Sequence, residues 1–180
     1  MPSTIVTTVG DASANSYVTV DEAITYLDDQ LNVSAFTTDS EDQIRALISA
    51  TRELNLVRWK GQVVDDTQAL QWPRKYAEDP DNPSSQAGEA ALGLFSETEI
   101  PQRVQDAEAE IALEMAILGT TRFTDLPTAF DELESVVGPL KTKLVAQRRR
   151  RTALSRFPRV MELIGPLIDP VATGLKVVRV

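Results

Sequence analysis

The chain has only two tryptophans, Trp59 and Trp72, and the second is followed directly by Pro73 and Arg74. This stretch constrains the fold more than any other. Proline fixes its own φ and disfavours helical backbone in the residue before it, so Trp72 cannot sit in the middle of a helix. A large aromatic held at such a break dominates the packing around it. Trp59, Trp72 and Pro73 are therefore read as a wedge laid across helix ends. Arg74 is expected to point a rigid cation out of the turn.

The segments around the wedge read as helices. Thr19 followed by Glu22 is a capping box, which starts a helix from about Val20 to Leu31. Ala23, Ile24 and Leu27 would face inward, and Asp21, Asp28 and Asp29 would face water. Ser40 with Gln43 marks a second start, and Ile44, Leu47, Ile48, Thr51 and Leu54 recur at helical spacing to about Leu56. Gly61 ends this stretch. Ile100-Pro101 opens a third helix, whose apolar stripe is Val104, Ala107, Ile111, Met115 and Leu118. Asp106, Glu110 and Glu114 repeat at i, i+4 beside that stripe, where like charges repel; they are expected to form a solvated or lumen-facing wall. Ile5–Val9 reads as extended, Ala90–Phe95 as a helical turn, and Glu134–Val145 as a hairpin around Gly138-Pro139. The fold class expected is mainly α: a small helical bundle with extended N-terminal and C-terminal β or arm segments.

Composition removes whole classes of chemistry. There is no cysteine and no histidine among the 180 residues, which excludes disulfides, Cys/His zinc sites, thiol nucleophiles and histidine acid–base catalysis. Asp28-Asp29, Asp65-Asp66 and the Asp79/Asp81 pair could hold a hard cation, but none lies in a glycine-punctuated loop, and solvated loop charge is the reading adopted. No phosphate-binding loop occurs. The protein is expected not to be an enzyme and to carry no cofactor. No apolar run is long enough to cross a membrane, and the N-terminus lacks a signal-peptide pattern, so synthesis in a cytoplasm is expected.

The formal charge of −9 hides a division. Residues 1–135 hold 25 acidic and 8 basic side chains, a net −17, whereas residues 136–180 hold 2 acidic and 10 basic, a net +8. This suggests a helical core over 1–135 and a basic arm over 136–180 with an anionic partner. Arg148, Arg149, Arg150 and Arg151 form the densest charge, and Arg156 follows. Phe157, Val160, Leu163 and Ile164 are expected to fill a groove on a neighbouring subunit or partner.

Several segments occur in an order that resembles the head–tail connector proteins of tailed bacteriophages: Asn15-Ser16-Tyr17 before the first helix, Thr51-Arg52-Glu53-Leu54 before Trp59, Trp72-Pro73-Arg74, Ile100-Pro101, Val137-Gly138-Pro139-Leu140, and Arg156-Phe157-Pro158 with Gly165-Pro166-Leu167. Sequences of that family are sometimes labelled DnaT-like single-stranded-DNA-binding proteins, a label read here as misleading. The resemblance implies a structural adaptor, made in the host cytoplasm and located at the virion neck. It implies a homo-oligomeric ring of twelve copies between the portal protein and a downstream neck, stopper or tail protein, with DNA passing through without specific binding. The competing reading is a single-stranded-DNA-binding module. Arg148–Arg151 favour it, but that run lacks interleaved aromatics on which bases stack.

Overall fold

The computed structural model describes residues 4–81, 93–122, 132–137, 140–145 and 153–169. Its longest helix, α4 (Gln102–Leu118), is also its centre. The helices α1 (Val20–Leu27), α2 (Ser34–Thr37), α3 (Ser40–Asn55) and α5 (Pro158–Ile164) all pack against it. The fold is mainly α, as the helical periodicity indicates. A helix covered on so many sides keeps little surface for water. Accordingly α4 buries Val104, Ala107, Ala109, Ile111, Ala112, Leu113 and Met115, together with the carboxylates of Glu108 and Glu110. Its alanines let the neighbouring helices approach closely.

Local chemistry sets the helix ends. The Thr19 hydroxyl accepts from the Glu22 amide at 3.2 Å, and the Glu22 carboxylate accepts from the Thr19 amide at 2.7 Å, completing the capping box. α1 stops at Leu27, short of the expected Leu31, and Asn32 then takes a left-handed φ of 68° that turns the chain toward α2. The cap of α3 is Asp39, one residue before the expected Ser40. Its carboxylate accepts from the Glu41 and Asp42 amides, where the positive end of the helix favours an anion. α4 begins after Pro101 and ends at Gly119, whose left-handed φ of 61° closes the last turn.

Beyond α3 the chain becomes extended. β1 (Gln62–Val63) pairs antiparallel with β2 (Arg74–Lys75), placing Gln62 opposite Lys75. Trp72 is 1% exposed and stands edge-on between Trp59, at 5.8 Å between ring centroids, and Phe95, at 5.6 Å. The Trp72–Pro73 peptide is cis and Pro73 is buried. A second hairpin, β3 (Glu132–Val137) with β4 (Leu140–Val145), pairs Val137 with Leu140 across the expected Gly138-Pro139 turn.

Residues 153–169 close the core. Leu154, Val160, Ile164 and Leu167 are buried in the same cluster as the α3 and α4 side chains, with Phe157 and Leu163 packed against it. Val160 and Ile164, expected to fill a groove on a neighbour, are thus spent on the core of their own chain. The reason is that α4 offers this stretch an apolar face close at hand. The boundary drawn at residue 135 consequently does not separate α5 from the helical body. Arg156 is exposed. Arg148–Arg151 lie outside the described residues, as do Gly138-Pro139 and residues 90–92 of the expected Ala90–Phe95 turn.

Candidate nucleic-acid interface

Extended backbone sends successive side chains to opposite sides. Trp59 points inward, and its indole N–H donates to the Leu54 carbonyl at 3.1 Å. Its neighbours Arg58 and Lys60 therefore lie toward solvent, Arg58 exposed and Lys60 partly so. The last turn before the C-terminal end of the described chain flanks this stretch. The Lys60 amide donates to the Leu167 carbonyl at 2.9 Å, the Asp169 amide donates to the Arg58 carbonyl at 3.0 Å, and Trp59 bridges Ile168 in antiparallel fashion. On its other side lies β2, continuing through Tyr76 and Ala77.

Arg58, Trp59, Lys60, Gln71, Arg74 and Asp169 line an open cleft of about 590 Å3 at this junction. Arg74 does not point out of the turn as expected. It is 7% exposed, and its guanidinium donates to the carbonyls of Lys60 and Gly61, both at 2.7 Å, and to the carbonyl and side chain of Gln71, both at 3.1 Å. The planar fork fits three backbone oxygens that would otherwise be unsatisfied, which draws it inward. Burial pushes its pKa down from the ordinary guanidinium value, yet arginine remains charged. Gln71 is fixed a second time, its amide donating to the Tyr17 hydroxyl at 3.1 Å, while that hydroxyl sits 3.3 Å from the Asn55 side-chain oxygen. Gly61 takes a φ of 73°, and a Cβ there would stand 2.3 Å from the Lys75 carbonyl oxygen. The two extended segments approach this closely because Gly61 has no side chain.

The body is acidic, but its cations are gathered. Of the eight basic residues in 1–135, Arg58, Lys60, Arg74 and Lys75 all belong to this junction. Elsewhere Arg45 is held by Glu41 and Asp42, each at 2.6 Å, and Arg103 by Asp81 at 2.7 Å. Two carboxylates attend the cleft loosely: Asp169 at 3.4 Å from Arg58 Nε and Glu78 at 3.6 Å from Lys60 Nζ. Such long, solvated pairs hold little energy.

Of the other acidic residues singled out from the sequence, Asp65, Asp79 and Asp81 have local duties. Asp65 accepts from the Thr67 amide and hydroxyl, and Asp79 accepts from the Asp81 amide. The row Asp106, Glu110, Glu114 is not the solvated or lumen-facing wall expected. Glu110 is buried, and one of its oxygens meets the Tyr26 hydroxyl at 3.1 Å, Gln30 Nε2 at 2.9 Å and Arg159 Nε at 3.4 Å. Burial and the Glu110 charge together raise the Glu114 pKa. Arg58 and Lys60 were not among the residues expected to bind a partner. The signal for them in the sequence is the alternation itself, one cation on each side of an inward-pointing ring.

Fold and cleft together define a mainly α-helical protein in which Arg58, Lys60 and Arg74 line one open cleft. The chain belongs to the family described as "Putative DnaT-like ssDNA binding protein", whose model matches residues 1–180. No curated protein and no solved structure matches it. The whole-chain match overturns the head–tail connector assignment and the virion-adaptor function drawn from it. The DnaT-like description, set aside in the sequence reading as misleading, is the one the chain satisfies. The twelvefold ring, the portal partner and the virion location rested on the connector resemblance alone. None of the described helices is long and apolar enough to cross a membrane.

Proposed function

We propose that the protein binds single-stranded DNA at the junction that carries Arg58 and Lys60 in the cleft and Lys75 on the adjoining strand β2. The observation that carries this reading is the concentration of half of the body's cations at one junction of a domain that is otherwise strongly acidic. Cations that replace counterions along a phosphate backbone gain affinity without reading sequence. The acidic remainder repels the strand and confines it to that one face. Arg74, buried behind the cleft, adds positive potential and holds the two extended segments in register, but its N–H groups are already spent on carbonyls. The four consecutive guanidinium groups of Arg148–Arg151 give the chain further phosphate-binding charge in sequence. Family membership supports the same ligand.

The experiment is fluorescence anisotropy of a labelled oligodeoxythymidylate titrated with protein over a range of salt. Affinity should fall linearly on a log–log plot. R58A, K60A and K75A should each flatten the slope by about 0.7, the single-strand value per phosphate contact. R45A should leave it unchanged, because Arg45 is committed to Glu41 and Asp42. Absence of binding at low salt overturns the reading, as does an R45A effect equal to the other three.

A further inference from the structure

Tyr76 stands apart from every other aromatic side chain described. Trp59, Trp72 and Tyr17 are buried and Phe95 is packed against the core, whereas Tyr76 is 67% exposed. It also has a φ of 59°, a left-handed conformation in which a bulky residue is rarely found. Among the described residues its ring is not part of the core. Its backbone is fixed from both sides instead. Arg74 is tied to three carbonyls before it, and after it the Ala77 carbonyl accepts from the Phe95 amide at 2.9 Å, with Ala77 itself buried. Across from it, the missing side chain of Gly61 leaves room for the Tyr76 backbone, whose carbonyl carbon would lie 3.1 Å from a Cβ at that position. A strained, rigidly mounted, solvent-facing ring directly follows Lys75 in sequence and lies across the strand pair from Gly61, the residue after Lys60. Strain of this kind persists where the surrounding structure imposes it.

We infer that Tyr76 is a stacking platform for a nucleobase of the bound strand, flanked by the phosphate-binding cations Lys60 and Lys75. This rests on the proposed single-strand binding and deepens it, since the platform accounts for a preference that the cations cannot supply. Phosphates are common to single strands and duplexes, but only an unpaired base can leave its stack and lie on a protein ring. Every base has a π face, so the platform favours single strands without selecting sequence.

The test compares wild type, Y76F, Y76G and Y76N on an oligodeoxythymidylate, on an abasic strand of equal length and on a duplex. Glycine and asparagine both suit a left-handed φ, so Y76G and Y76N should melt no lower than wild type. Both should bind the single strand roughly 5- to 150-fold more weakly, the range expected for loss of one stacked base, with an unchanged salt slope because no phosphate contact is lost. Y76F should bind as wild type does. On the abasic strand and the duplex all four proteins should be nearly equal. Equal affinity of Y76G and wild type for the single strand overturns the inference, as does unfolding of Y76G, which would make the ring a packing element. An altered sedimentation coefficient in Y76G with unaltered DNA affinity also overturns it, placing a second copy of the chain on this face. Failure of wild type to bind any single strand removes the parent reading instead, and so is distinguishable.

Discussion

The carboxylate of Glu108 accepts from the hydroxyl of Thr51 at 2.5 Å, joining α4 to α3 at a point with no access to water. The same oxygen accepts from the Ser16 hydroxyl at 2.8 Å, and the other accepts from the amides of Tyr17 at 2.8 Å and Val18 at 3.1 Å. One side chain thus binds the segment that leads into α1, and through it Tyr17 and Gln71, to the central helix. Burial raises the Glu108 pKa to about 7, against the opposing effect of these four donors. Both protonation states can be satisfied. The Ser16 hydroxyl also lies 2.6 Å from the Val18 carbonyl, and the Thr51 hydroxyl lies 3.1 Å from the Leu47 carbonyl. When Glu108 gains a proton, it can donate to either hydroxyl, which then donates to its carbonyl.

The first prediction follows from that shift. A carboxyl whose folded pKa exceeds its unfolded value holds its proton more tightly in the native state. Its contribution is therefore most favourable below the ordinary glutamate value of 4.5 and declines as pH rises toward about 7. The decline is on the order of 3 kcal/mol across that window. E108Q keeps the shape and can offer its oxygen to the two amides and its nitrogen to the two hydroxyls. Urea denaturation at pH 5 and pH 8 should show wild type losing more stability between those values than E108Q does. Equal losses would show that Glu108 does not titrate between them. E108L, which leaves two buried amides without an acceptor, should be destabilised at both pH values.

Trp72 supplies a second prediction. Its ring packs edge-on against Trp59 and Phe95, but its indole N–H meets no acceptor among the described residues. W72A should cost roughly 3–5 kcal/mol, as for other large core aromatics. W72F should cost clearly less, because it keeps an aromatic face and gives up no hydrogen bond formed among these residues. Thermal melts of the two variants decide this. A W72F protein as unstable as W72A would mean that the indole N–H matters.

How far the sequence revealed this arrangement differs from element to element. The capping box at Thr19 and Glu22 and the Pro101 start of α4 are local devices, and each was legible from a few neighbouring residues. The wedge was legible as well, because Pro73 denies Trp72 a helix whatever surrounds it. Which glutamates of Ala107-Glu108-Ala109-Glu110 are buried was not legible. That depends on α1, α3 and α5 arriving from distant parts of the chain and covering faces of α4 beyond its apolar stripe. The fate of Val160 and Ile164 was hidden for the same reason, since an amphipathic segment looks alike whether it covers its own chain or another. Arg74 misled because a cation after a turn usually meets water, and only the fold shows three carbonyls converging on it.

Gly61 should tolerate no side chain. In G61A, a Cβ 2.3 Å from the Lys75 carbonyl and 2.9 Å from the Ala77 amide would force apart the two segments that carry the cationic face. The positive φ adds its own penalty. The variant should lose about 2 kcal/mol or more and bind single-stranded DNA more weakly. Chemical denaturation and anisotropy of the same sample should move together. A G61A protein with wild-type stability would show that β1 and β2 can separate without cost.

The last prediction concerns Asp169, whose carboxylate lies 3.4 Å from Arg58 Nε at the mouth of the cleft. A phosphate approaching Arg58 must compete with this anion and also endures its repulsion. D169N keeps the size of the side chain, and the Asp169 amide that donates to the Arg58 carbonyl is backbone and remains in place. The pair is solvated, with 70% of the Arg58 side chain exposed, so its contribution to folding should be under about 1 kcal/mol. The melting temperature should therefore change little. Affinity for an oligodeoxythymidylate should rise by up to about fivefold at low salt, the equivalent of that same energy, and the gain should shrink as salt screens the charges. D169N combined with R58A should erase the gain, because the benefit acts through the freed guanidinium. If D169N binds no more tightly than wild type, or if the gain survives in the double variant, Asp169 does not guard the cleft through Arg58.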